Sequence, residues 1–161
     1  MTEGFRINFS GTERPKALTS MPAGMYLANI YELEWGQTSD EAKNPKEPKL
    51  KTTFKVNGGT FDGRLLFRVY TFGEKARPFF LQLCEATEKF SEEDLDGSAD
   101  LYPTDIDPKL QGAEVIISVS RKADKVYGLE DGFKNEVRNV YSTSSPQSRQ
   151  LASVPGDPRM P

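Results

Sequence analysis

Lys49, Lys51 and Lys55 alternate with Leu50, Thr52, Phe54 and Val56, and Arg64, Arg68, Tyr70 and Phe72 recur at even spacing a little further on. Cations two residues apart on an extended chain stand about 7 Å apart on one side, a spacing that lets them follow successive phosphates. Flat side chains among them suit nucleobases, because every base offers a π face for stacking. The combination predicts a face for single-stranded nucleic acid. Alternating Lys and Thr also describe a plainly solvated strand face, and Tyr70 and Phe72 would serve a core as well as a base stack. Trp35, the single tryptophan, reads either way, at the end of a long apolar run where a loop begins.

Other chemistry is poorly supplied. The chain has no histidine and one cysteine, Cys84, so neither an intramolecular disulfide nor a Cys/His zinc site can form. Cys84 has no histidine to activate it and sits in a helical pattern beside Leu83, which predicts a buried thiol. Asp94-Leu95-Asp96-Gly97-Ser98-Ala99-Asp100 superficially resembles a calcium loop, but its glycine is misplaced and Asp105 stands where the closing glutamate belongs. No phosphate-cradling glycine loop is present, and the carboxylates crowd one irregular-looking stretch instead of converging on a metal. No enzyme activity, cofactor or metal is therefore predicted.

The elements that would position these residues are mostly strands. Residues 4–11 alternate Phe5, Ile7 and Phe9, predicting an extra N-terminal strand. Met25 to Trp35 reads as a long first barrel strand with Met25, Leu27, Tyr31, Leu33 and Trp35 on one side. Residues 36–48 have loop composition and carry Lys43 and Lys46. Residues 49–57 give the clearest strand. Asn57-Gly58-Gly59 then supplies turn chemistry for a hairpin. Its returning strand sets Leu65, Phe67, Val69 and Thr71 against Arg64, Leu66, Arg68, Tyr70 and Phe72. The second set is expected to share the outward face with the lysines.

From Glu74 to Lys89 the period becomes helical, with Pro78 in the first turn and Phe79, Leu83, Ala86 and Phe90 on one face. Residues 91–109 are acidic, and Pro103 and Pro108 predict an exposed irregular excursion. A fourth strand follows with Val115, Ile117 and Val119, and a fifth spans 135–141 around Val137, Asn139 and Tyr141. The connecting loop, 121–134, brings Arg121, Lys122, Lys125 and Tyr127. Beyond Ser142 apolar residues almost vanish, predicting a disordered tail over 142–161. Five strands with one helix between the third and fourth is the pattern of an OB-type barrel over residues 1–141.

At 161 residues, 36% of them hydrophobic and 28% charged, the chain suits one soluble domain. It has no stretch near the roughly 20 apolar residues of a membrane span. Met1 to Arg6 lack a cationic start followed by an apolar run, so no secretory signal is predicted and the expected location is cytoplasmic. The net charge of −3 looks wrong for a partner of phosphates, but it averages two unlike regions. Residues 5–80 hold 12 Lys+Arg against 8 Asp+Glu, a net of +4, whereas residues 81–112 hold 2 against 9, a net of −7.

Four pieces resemble a phage family of small early proteins described as single-stranded-DNA-binding proteins. They are Pro22-Ala-Gly-Met-Tyr26, Leu50-Lys-Thr-Thr-Phe-Lys-Val56, Gly59-Thr-Phe-Asp-Gly-Arg64 with Leu66-Phe67, and Leu110-Gln-Gly-Ala-Glu-Val115. The resemblance implies an OB-like fold and a role in phage DNA replication or recombination inside an infected bacterium. It contributes no catalytic residues. Many replication-type binders end in an acidic, partner-recruiting tail, whereas this chain ends Val154-Pro-Gly-Asp-Pro-Arg-Met-Pro161, so Glu92 to Asp107 is the candidate segment for replication or recombination proteins. A rival reading is an OB adaptor or inhibitor that binds a phage or host protein through that segment. Dimerisation by pairing of edge strands is open.

Overall fold

β1, Gly24–Gln37, is the strand on which the others are assembled. In the computed structural model, which describes residues 4–12, 19–41 and 46–151, it pairs antiparallel with two neighbours. Gly24 to Asn29 lie against β4 (Glu114–Ala123), and Ala28 to Gln37 lie against β2 (Pro48–Val56). β2 pairs in turn with β3 (Leu65–Thr71), and β4 with β5 (Phe133–Tyr141), giving the order β3-β2-β1-β4-β5. β3 and β5 approach each other across the remaining gap, so the sheet curls into a nearly closed barrel. Between β3 and β4 the chain forms α1 (Arg77–Thr87), α2 (Glu92–Leu95) and α3 (Pro103–Leu110).

A bulge makes the bend in β1. Ile30 pairs with Phe54 and Glu32 with Thr53, leaving Tyr31 as the extra residue. One extra residue sends the following side chains to the opposite face. Before it Tyr26, Ala28 and Ile30 are buried; after it Leu33 and Trp35 pack on the core. The single-parity set expected from Met25 to Trp35 is therefore correct only for its last members, and Tyr31 points outward. β5 repeats the device: Ser118 pairs with Asn139 and Val119 with Val137, so Val137 and Val140 are the buried pair. Leu50, Phe54 and Val56 from β2, Val115, Ile117 and Val119 from β4, and Phe80, Leu83 and Ala86 from α1 complete the core.

The gap between β3 and β5 is bridged by a side chain. Arg68 Nη1 donates to the carbonyl of Val137 at 3.3 Å and to that of Arg138. Its guanidinium lies 4.8 Å from the Tyr70 ring centre and 4.9 Å from that of Phe79.

Several expectations are corrected. Residues 4–12 form no strand: Phe5, Ile7 and Phe9 are exposed and outside the sheet. The alternation is real, but no neighbouring strand edge receives it. The segment 91–109 is irregular only over 96–102, with α2 before that stretch and α3 after it, and three helices, not one, separate β3 from β4. Ser91 caps α2, accepting from Asp94 N–H at 3.2 Å while Asp94 accepts from Ser91 N–H at 3.1 Å. Pro103 opens α3 in its first turn, where a missing N–H removes no helical bond. Ile106 and Leu110 bury its inner side. The face of α1 runs through Phe80, not Phe79, because adjacent phenylalanines made the phase ambiguous.

Arg121 and Lys122 lie in β4, leaving 124–132 as the loop. Residues 142–151 are not disordered. Pro146–Gln150 forms a short 3-10 helix, Leu151 bridges to Met25, and Ser142 and Ser144 donate to the Glu88 carboxylate. Residues 152–161 of the expected tail lie outside the described residues. No helix among the described residues is long and apolar enough to cross a membrane.

The Arg68 bridge makes a checkable demand. Arg68→Ala should lower the stability of the barrel by roughly 2 kcal/mol, the scale of hydrogen bonds from a charged donor, measured by urea unfolding. A change below about 0.5 kcal/mol would mean that packing alone holds β3 against β5.

Candidate nucleic-acid interface

The register of β2 against β3 decides which side chains share a face. Lys49 stands opposite Thr71, Lys51 opposite Val69, Thr53 opposite Phe67 and Lys55 opposite Leu65. Directly paired residues project to the same side, so the three lysines share the outer surface with Leu65, Phe67 and Val69. Phe67 is 54% exposed, and Val69 and Leu65 are exposed beside it. The second half of β1 extends this surface: the bulge residue Tyr31 is exposed, with Glu32 opposite Thr53 and Glu34 opposite Lys51.

Two cation–ring contacts organise the surface. Lys51 Nζ lies 5.0 Å from the Phe67 ring centre, and Lys55 Nζ lies 5.0 Å from that of Tyr31. A shallow depression runs between Tyr31, Lys51, Thr53 and Phe67, with the carboxylates of Glu32 and Glu34 also in its lining. On the other side of Phe67 a second depression is lined by Phe79, Glu136 and Arg138. Phe67 thus forms the ridge between two hollows. An apolar strip in water beside three ammonium groups offers both parts of single-strand recognition, rings for bases and charges for phosphates.

The arginine and aromatic set does not join the lysines. Leu50 pairs with Tyr70 and Thr52 with Arg68, which puts that parity inside. Tyr70 is only 2% exposed, packs edge-on against Phe80 with centroids 5.8 Å apart, and its hydroxyl pKa is raised by burial. A stack of Tyr70 on a base is incompatible with that position. Arg68 is committed to the bridge across β3 and β5. Arg64 donates to the Thr19 carbonyl at 2.8 Å and lies 5.5 Å from the Phe61 ring centre, fastening the chain that leads into β1. Phe72 stacks on Trp35 with centroids 5.8 Å apart, and Trp35 Nε1 donates to Asp107 at 2.7 Å, so this pair forms a wall at the far end of β1. The thiol of Cys84, which lines the same end, is buried and pushed up to about 12 by that burial.

The loop residues separate in the same way. Arg121 Nε donates to Ser20 Oγ at 2.7 Å, its guanidinium lies 3.6 Å from the Phe133 ring centre, and Asp131 is 3.8 Å away. It serves as a clamp on the start of the barrel. Lys122 is exposed on β4 opposite Lys134. Lys125 and Tyr127 occupy the loop, where Asp124 accepts from the Val126 and Tyr127 amides at 3.0 and 2.9 Å and leaves Tyr127 86% exposed. Lys46 is exposed near Asp40 at 3.8 Å, and Lys43 lies outside the described residues. Sequence reasoning missed Tyr31, Phe67 and Val69. The available signal was the lysine parity itself, once carried across the hairpin in the observed register.

No known family model matches the chain, and no curated protein matches it.

The Ser20 clamp generates a pH prediction. Asp131 accepts from Ser20 Oγ at 2.6 Å and from Ser20 N–H at 2.9 Å, and these bonds, with Arg121 nearby, hold its carboxyl below the usual carboxylate range. A depressed folded-state value contributes stability above the unfolded value near 3.9, and that contribution is lost as pH falls through it toward the folded value. Asp131→Asn should therefore melt lower than the parent at pH 7, and the difference should shrink as pH falls toward 3. Parallel melting curves across that range would remove the carboxylate from the clamp.

Proposed function

We propose that the chain is an OB-type domain that binds single-stranded DNA with little sequence preference, in phage DNA replication or recombination, without catalysing a reaction. The observation that carries the reading is the outer face of β2 and β3, where Lys49, Lys51 and Lys55 stand beside the exposed Phe67, Val69 and Leu65, with Tyr31 joining from β1. Supporting the OB-type reading is the strand order β3-β2-β1-β4-β5, in which β1 serves both halves and β3 approaches β5. In an OB barrel the surface of strands 2 and 3 is where oligonucleotides lie. The bases would stack on Phe67 and Tyr31, and the phosphates would follow the lysine row.

The test is fluorescence anisotropy of a labelled mixed-sequence single strand at low and moderate salt, with a duplex control. Phe67→Ala should weaken binding by about 1–3 kcal/mol, roughly 5- to 150-fold in Kd. Lys51→Ala should lower the salt slope by about 0.7. Tyr70→Phe should leave affinity unchanged. No binding by the parent chain even at low salt would overturn the reading and favour the protein adaptor, with the acidic helices α2 and α3 as the surface to probe.

A further inference from the structure

Among the described residues the sheet has two bulges, and both serve one ridge. In β1 the extra residue is Tyr31; in β5, where Ser118 pairs with Asn139 and Val119 with Val137, it is Arg138. Both side chains are exposed. Tyr31 lines the hollow on one side of Phe67, and Arg138 lines the hollow on the other. A bulge gives up ladder hydrogen bonds and re-aims a side chain, which is why bulges gather beside binding sites.

The two hollows differ in the rings they offer. On the β1 side Lys51 Nζ lies over Phe67 at 5.0 Å from the ring centre. Lys51 lines that hollow and not the other, so the ring surface free of a cation is on the β5 side. There Phe79 of α1 supplies a second ring, 44% exposed, with the Arg68 guanidinium over it at 4.9 Å. Arg68 is itself tied to the carbonyls of Val137 and Arg138, which gives Phe79 a fixed support. The β5-side hollow measures about 460 Å³, inside the range of roughly 300–1,000 Å³ common for ligand sites.

They differ in charge as well. Arg68, Arg138 and Glu136 line the β5 side, and Glu136 is tied to Lys134 at 3.2 Å and to Arg138 at 3.4 Å. Lys134 also reaches Asp124 at 3.4 Å. Three cations therefore stand against two carboxylates, whereas the lining of the β1 side sets Glu32 and Glu34 against Lys51 alone. A phosphate is better received on the β5 side, where the Arg138 side chain is exposed and only its Glu136 contact competes.

We propose that a single strand seated on the lysine row crosses Phe67 into the β5-side hollow, placing one base against the rings of Phe67 and Phe79 and the adjoining phosphate on Arg138. This path rests on the DNA reading and deepens it: the strand leaves β3 toward β5 and not along β1.

The experiment is the anisotropy titration at several salt concentrations, run on Arg138→Gln, Phe79→Ala and Phe79→Leu beside the parent and Phe67→Ala, with urea unfolding of each variant. Arg138→Gln changes an exposed side chain and should lower the salt slope by about 0.7, the value of one phosphate contact on a single strand. Phe79→Ala should weaken binding roughly 5- to 150-fold in Kd. Because Phe79 also packs on Arg68, Phe79→Leu, which keeps the bulk and loses the ring, should weaken binding in the same range with the barrel intact. If the parent binds and Phe67→Ala weakens it, while Arg138→Gln keeps the full slope or Phe79→Leu the full affinity, this path is overturned and the DNA reading stands. A parent that binds no single strand overturns both.

Discussion

Arg68 closes the barrel where no strand pairing among the described residues does. The sheet ends at β3 on one side and β5 on the other, and carbonyls left facing that gap would lose water without gaining a donor. Arg68 supplies donors to Val137 and Arg138, and the rings of Tyr70 and Phe79 flank its guanidinium. A guanidinium suits this task because its planar, weakly hydrated fork can face carbonyls and lie against rings at once. The closure and the register of β2 on β3 serve the same division: Leu66 and Tyr70 turn inward with Arg68, and the opposite parity, Phe67 and Val69, stands outside with the lysines.

How far the sequence revealed this depended on the kind of information involved. The alternation in β2 was legible, since polar and apolar residues trade places at every step from Lys49 to Phe54 except at the threonines. The alternation in β3 was not, because Leu65, Phe67 and Val69 compete with Leu66, Tyr70 and Phe72 and both sets could fill a core. Only the register separates them, and eight residues between β2 and β3 leave the register unspecified by turn type. Tyr31 escaped for a related reason: a bulge leaves little local signature, yet it reverses the meaning of every later position in the strand.

The acidic segment taught the opposite lesson. Its two prolines and many carboxylates looked like breakers and solvated charge. Pro103 and the carboxylates suit a helix beginning, the proline because its fixed φ is already helical and the carboxylates because they accept from free amides and complement the N-terminal dipole, while Pro108 is accommodated inside the last turns of α3. Asp94 bonds the Ser91 amide and Asp105 the Tyr102 amide at 2.9 Å, and Asp107 holds Trp35. Much of the charge is therefore engaged in shaping two short helices whose inner residues, Leu95 and Ile106, line a cavity beside Trp35.

That engagement bears on how a chain of net charge −3 could accept a polyanion. Charge acts locally in salt, where the screening length is about 10 Å at 0.1 M. Lys49 lies next to Gly36 and Pro48, at the end of the barrel where Trp35 meets Asp107, so the acidic helices are felt there most. Lys55 is six residues further along β2, roughly 20 Å away, beyond that range. The proposed DNA face thus carries a gradient: it repels most at its α3 end, Glu34 and Glu32 offset the charge beside Lys51 and Thr53, and it attracts most toward Lys55, where Tyr31 also stands. A strand laid on this surface would be drawn to the end where rings and lysines coincide. The acidic helices would then limit its footprint without opposing binding as a whole.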